Sequence, residues 1–81
     1  MESRADVTAR LKKIVAQGLG LSEAEVTDEK TFVNDLGTDS LEAVEIVMEI
    51  ENEFNIQLTD VEAESMTTVG KAVDLILEKT G

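Results

Sequence analysis

The chain has 81 residues and a formal net charge of −11, so it reads as one small domain spanning residues 1–81 whose surface repels phosphate backbones and anionic bilayers. It contains no Cys and no His. That removes the disulfide staple, the commonest general base, the commonest metal ligand and the most reactive nucleophile, which argues against an enzyme.

The N-terminus, Met1-Glu2-Ser3-Arg4, has no apolar signal core, and no apolar run reaches the length of a bilayer span. A soluble cytoplasmic protein without stable membrane insertion is expected. Val7, Leu11, Ile14 and Val15 follow helical spacing and predict a first helix from Ser3 to Gln17, with Gly18 and Gly20 as its exit. A long connection then runs to about Asp39. Ser22 and Glu25 form a small capping box within it, predicting one helical turn. Leu19, Leu21, Val26, Phe32, Val33 and Leu36 are expected to pin this loop to the core.

A second helix is predicted over Ser40 to Phe54, capped by Asp39 or Ser40, with Glu42 three residues after Asp39. Ile56 and Leu58 should point inward after it. Asp60 is expected to cap a single turn ending at Glu64. A last helix is predicted over Thr68 to Lys79, with Thr67 or Thr68 as cap and Val69, Val73, Ile76 and Leu77 as its apolar face. The fold class is therefore all-α, a small bundle of three main helices plus one short helix. Phe32 and Phe54 are the only aromatics. Such an aliphatic core is either simply small or loose enough to part around a lipid chain, and both readings stand at this point.

The second helix carries two apolar stripes. At about 100° per residue, Ala43, Ile46, Val47, Ile50 and Phe54 fall on one side. Leu41, Val44 and Met48 fall nearly opposite, with Glu45 and Glu49 on one flank and Glu51 on the other. Either neighbouring helices bury both stripes, or the second is a docking surface of apolar anchors framed by acids. The charge distribution bears on this choice. All seven basic residues lie outside Thr31–Gly70, whereas ten acids, from Asp35 to Glu64, lie within it. A basic partner protein would be drawn to that stretch.

The segment Leu36-Gly37-Thr38-Asp39-Ser40-Leu41 joins the loop to this helix. Gly37 permits a tight turn, and Asp39 and Ser40 open the helix. An isolated Asp-Ser pair is most simply a helix cap. No sequence neighbour offers Ser40 a base, and the segment lacks the nucleophile-elbow pattern. Ser40 therefore reads as a substrate rather than a catalyst. Phosphate at a helix start gains from the helix N-terminus.

Leu-Gly-x-Asp-Ser-Leu followed by this two-striped acidic helix resembles the acyl carrier protein family, in particular the freestanding carriers of dissociated fatty acid synthesis. The likeness covers nearly the whole chain and is densest from Thr31 to Glu53, continuing through Phe54, Ile56, Asp60, Glu62-Ala63-Glu64 and Thr67-Thr68-Val69. It implies that Ser40 accepts 4′-phosphopantetheine from coenzyme A, transferred by a separate phosphopantetheinyl transferase, and that the arm's thiol holds the acyl cargo. It implies that Asp39 engages the transferase and its metal ion, the chain having no specific metal site of its own. The surface expected to meet basic-patched fatty acid synthesis enzymes comprises Leu41, Glu42, Val44, Glu45, Met48 and Glu51. Ile46, Val47, Ile50, Phe54 and Ala63 match positions near the family's acyl pocket.

Three positions depart from the family pattern. Asn52 and Gln57 stand where many relatives have Glu, and Thr59 stands where Pro is usual. A specialised polyketide-type carrier would share the fold, serine and arm and differ in cargo and partners. An acidic helical adaptor without a prosthetic group would leave the serine motif as coincidence. No loop has the ligand spacing of an EF-hand. The charge favours a monomer.

Overall fold

A computed structural model describes residues 3–81. Helix α1 spans Arg4–Leu19, a 3₁₀ turn spans Glu23–Glu25, α2 spans Ser40–Phe54, α3 spans Asp60–Ser65 and α4 spans Val69–Thr80. The architecture is the all-α bundle expected, with α3 as the short member.

Each boundary has a local cause. The Ser3 hydroxyl accepts from the Asp6 N–H at 3.1 Å and opens α1. The helix runs past Gln17, the predicted end, to Leu19. Gly18 stays helical, and the chain turns only at Gly20, whose φ of 69° is left-handed. The expected capping box closes the 3₁₀ turn, with the Ser22 N–H donating to Glu25 Oε2 at 2.9 Å. Asp39 and Glu42 form the same device at α2: Glu42 N–H donates to Asp39 Oδ1 at 2.8 Å and Asp39 N–H to Glu42 Oε1 at 3.1 Å. Helix α2 ends where Asn55 adopts a φ of 54°, a conformation that Asn tolerates better than most residues.

The cap of α3 differs from expectation. Thr59, not Asp60, holds the cap position, and its hydroxyl accepts from the Glu62 N–H at 3.1 Å while its own N–H donates to Glu62 Oε1 at 2.9 Å. Asp60 is already helical. Thr59 has a φ of −75°, within proline's range, and the capping box holds it there without the ring. Thr68 caps α4, accepting from the Lys71 N–H at 3.2 Å.

Helix α1 packs against both α2 and α4, and α3 packs against α4. The core is aliphatic save for Phe54. Val7, Leu11 and Val15 meet Ile46, Ile50 and Phe54 of α2 and Val69, Val73 and Ile76 of α4. Val26 and Met66 enter from the connections. Among the described residues, no helix is long and apolar enough to cross a membrane.

The long connection is ordered, as expected, but mainly through its backbone. Phe32 N–H donates to Thr67 O at 3.2 Å, Val69 N–H to Lys30 O at 3.1 Å and Gly70 N–H to Asp28 O at 2.9 Å. A Cβ at Gly70 would lie 3.3 Å from Asp28 O, so glycine allows this close approach. Thr31 and Asp35 bond reciprocally, Thr31 N–H to Asp35 Oδ2 at 2.9 Å and Asp35 N–H to Thr31 Oγ1 at 3.0 Å. The Thr31 N–H and the Thr31 hydroxyl, both donating to Asp35 Oδ2, hold that carboxyl below the usual carboxylate range. Phe32 and Leu36 pack against the core, but Val33, expected to join them, is 69% exposed. The tight turn held by Thr31 and Asp35 leaves it on the outer side.

Lys79 Nζ lies 2.8 Å from Glu62 Oε2 and ties α4 to α3. The Lys79 ammonium, with the Thr59 N–H, holds the Glu62 carboxyl below its ordinary value. The folded value lies below the unfolded one, so the contribution is full above about pH 5 and fades as pH falls through the folded value. We expect Glu62→Gln to lower Tm most at neutral pH, with the gap to wild type closing below about pH 4. Thermal unfolding followed by circular dichroism across pH checks this; a gap that stays constant would refute it.

Candidate functional site

The segment before α2 turns at Gly37, whose φ is 72°. Thr38 then turns inward. It is 8% exposed, the one buried polar residue among those described. Its N–H and hydroxyl both donate to Phe32 O, at 2.9 and 2.8 Å. Sequence reading gave Thr38 no role; its burial depends on where Phe32 sits, which no local pattern encodes. With Thr38 fixed and Asp39 capping, Ser40 becomes the first residue of a 15-residue helix. Ser40 is exposed. Among the described residues its hydroxyl has no hydrogen-bond partner, and no side chain is placed to activate it. Asp39 Oδ1 is taken by the cap, while its other oxygen accepts no bond from a described residue.

The second apolar stripe of α2 is uncovered. Leu41 is 67%, Val44 56% and Met48 55% exposed. This excludes burial of both stripes. The core stripe is narrower than the helical wheel suggested. Ile46, Ile50 and Phe54 are buried and Val47 is half-buried, but Ala43 is exposed. Ala63 of α3 is half-buried against the same cluster.

The acids of α2 divide by role. Glu42 is engaged in the cap. Glu51 Oε2 accepts from the Leu58 N–H at 2.8 Å and anchors the α2–α3 connection, so its carboxylate is committed within the fold. Arg10 pairs with Glu53 Oε2 at 2.7 Å, also donates to Glu53 O, and lies 4.5 Å from the Phe54 ring centroid. Glu45 and Glu49 are exposed, and no described cation pairs with either. No group of three or more acids among the described residues is placed to hold a metal ion.

An exposed, unbonded hydroxyl at a long helix's N-terminus, beside apolar anchors and unpaired acids, can be modified by another protein and docked by several. Such features fit a carrier. Residues 9–76 match the family described as the phosphopantetheine attachment site. The chain belongs to that family, whose domain is the site for covalently attached 4′-phosphopantetheine. A solved structure of the acyl carrier protein from Enterococcus faecalis, described for its high thermal stability, is 35% identical. The match covers 96% of this chain and 99% of that one, with a TM-score of 0.81. The fold is that of an acyl carrier protein rather than an enzyme. Synthesis enzymes, a phosphopantetheinyl transferase and acyl cargo are the interactions its family implies. The accessible Ser40 oxygen fits a phosphodiester, and the α2 N-terminus favours the negative charge it would bring.

With Glu45 and Glu49 unbalanced, like charges repel at low ionic strength. We expect Tm to rise as salt goes from about 10 mM to 150 mM, and millimolar Mg²⁺ to act at lower concentrations than Na⁺. Scanning calorimetry checks this; a Tm indifferent to both would refute it.

Proposed function

We propose that this chain carries acyl groups as thioesters on a 4′-phosphopantetheine arm bonded to Ser40, and delivers them between enzymes of fatty acid synthesis in the cytoplasm. The observation that carries the reading is the Ser40 hydroxyl, exposed and unbonded at the start of α2. The match to a carrier from Enterococcus faecalis over nearly the whole chain supports it.

The arm supplies the terminal thiol that a chain without Cys cannot. The chain's own residues present and orient. Ser40 Oγ bonds to the pantetheine-bearing phosphorus of coenzyme A as that phosphorus parts from the pyrophosphate bridge; adenosine 3′,5′-bisphosphate leaves, and the hydroxyl proton passes to a base of the transferase, since none stands beside it. The oxygen of Asp39 that the cap leaves free engages the metal ion that the transferase brings. Leu41, Val44 and Met48 anchor partner enzymes, while Glu45 attracts their basic patches, its charge supplemented by Glu42 at the helix start and Glu51 on the other flank. Ile46, Val47, Ile50, Phe54 and Ala63 supply apolar surface against which a short acyl chain can shelter. The protein works as a single-domain monomer whose net charge of −11 keeps copies apart.

Incubation with coenzyme A, Mg²⁺ and a phosphopantetheinyl transferase should add one phosphopantetheine to the wild type and none to Ser40→Ala, read by intact mass. No gain in a folded apo sample would leave Ser40 as an ordinary first residue of α2, behind the Asp39 cap, and favour the adaptor. Val44→Asp and Glu45→Lys should each raise the Kd for a basic-patched ketoacyl synthase about tenfold. Unchanged titration curves for both would remove α2 as the docking surface.

A further inference from the structure

A groove of about 460 Å³ lies between the C-terminal end of α1 and the first half of α2. Its apolar lining includes Ile14 and Ile46, with Gly18 open between them, and its α2 wall is formed by Glu45, Met48 and Glu49. Ile46 is buried beneath. Met48 belongs to both this groove and the exposed stripe, so the two surfaces are continuous. We propose that the groove receives one Arg or Lys side chain of a partner enzyme, its aliphatic stem along Ile14, Gly18 and Ile46 and its cation beside Glu45 and Glu49. This rests on the carrier reading and extends its docking surface from α2 onto α1.

Two independent features carry it. The first is charge: Glu45 and Glu49 have no pairing cation among the described residues, whereas Glu53 and Glu62 have theirs within the fold. The second is shape. Long basic side chains bury their stems on apolar surface and keep the charge at the polar edge. The groove offers that arrangement, apolar beneath and acidic along one rim. Any side chain at position 18 would extend into this space. Glycine in a helix costs stability relative to other residues, so the opening is held against local propensity.

That cost gives a clean test. A Cβ at Gly18 meets only Ile46 Cγ1, at 3.7 Å, an ordinary contact, and the backbone there is helical. Gly18→Arg should keep or raise Tm while filling the groove with the chain's own cation. The assay uses arm-loaded protein, confirmed by intact mass, as acceptor for an acyl-coenzyme A transacylase with a basic docking face. Gly18→Arg should raise KM for the carrier about tenfold with kcat retained. Ala9→Arg, an exposed site on α1 with the same change in net charge, should leave KM within about twofold, separating local blockage from bulk charge. Glu49→Lys on the opposite rim should reproduce the rise in KM, and serves if Gly18→Arg does not fold. A KM equal to wild type in Gly18→Arg or Glu49→Lys overturns the groove. An equal rise in Ala9→Arg overturns it as well. Because each variant's arm is confirmed by mass, neither result bears on the carrier reading; failure of the loading step itself would.

Discussion

The Phe32 backbone is the joint on which the site depends. Its N–H is bound by Thr67 at the start of α4, and its carbonyl takes two donors from Thr38. The ring packs on the core between them. One residue thus links the α3–α4 junction, the long connection and the entry to α2. Without it, Gly37 would leave the approach to Ser40 free to swing, because glycine restrains the backbone least. Ser40 is held at its place by neighbours one to eight residues upstream, and its own side chain makes no bond. A side chain that bonds to nothing in the fold has its position set by others.

The same division runs through the charges. Cations serve the fold: Arg4 joins α1 to Asp28 and Asp74, Arg10 clamps the end of α2 over Phe54, and Lys79 joins α4 to α3. Exposed pairs of this kind add little stability individually. Their larger effect is on the sign of what remains. These three cations pair elsewhere, and no described cation pairs with Glu45 or Glu49 in the first half of α2, which keeps a negative field. That arrangement destabilises the isolated fold slightly and favours association with an opposite surface.

Much of this was legible in the sequence where the determinants are local. Both ends of α2 follow from Asp39, Glu42 and Asn55, and the 3₁₀ turn from Ser22 and Glu25, because a capping box is written in adjacent residues. Most of the misreadings involve a choice that residues outside the local pattern make. Asp60 and Thr59 are both competent caps; the path of the chain from Leu58, held by Glu51, places Thr59 in the extended conformation a cap needs. Ala43 lies on the apolar side of the wheel, but a wheel gives an angle and not which neighbours cover it. Val33 has apolar character and no partner, since the Thr31–Asp35 turn directs it outward. Thr38 is polar and buried, which only a carbonyl from six residues earlier could satisfy. Helix α2 was easiest to read because its two stripes are periodic; that one of them is bare follows from α1 and α4 sharing a core that leaves nothing to cover it.

The absence of Cys and His, which first argued against an enzyme, also explains why so small a core suffices. Preorganised catalytic groups must be held to within a fraction of an ångström by surrounding packing. A carrier has no such constellation to hold. It needs a hydroxyl in reach, a surface that several partners can read, and an interior that tolerates change. Val, Ile and Leu in a one-layer core meet the last requirement, since such side chains repack at low cost if total volume is kept. Buried polar networks would oppose that, because each displaced partner leaves an unsatisfied group. Thr38 is the exception that fits: its two bonds lie between the core and the entry to α2, where rigidity serves the approach to Ser40, and not among the aliphatic residues beneath α2.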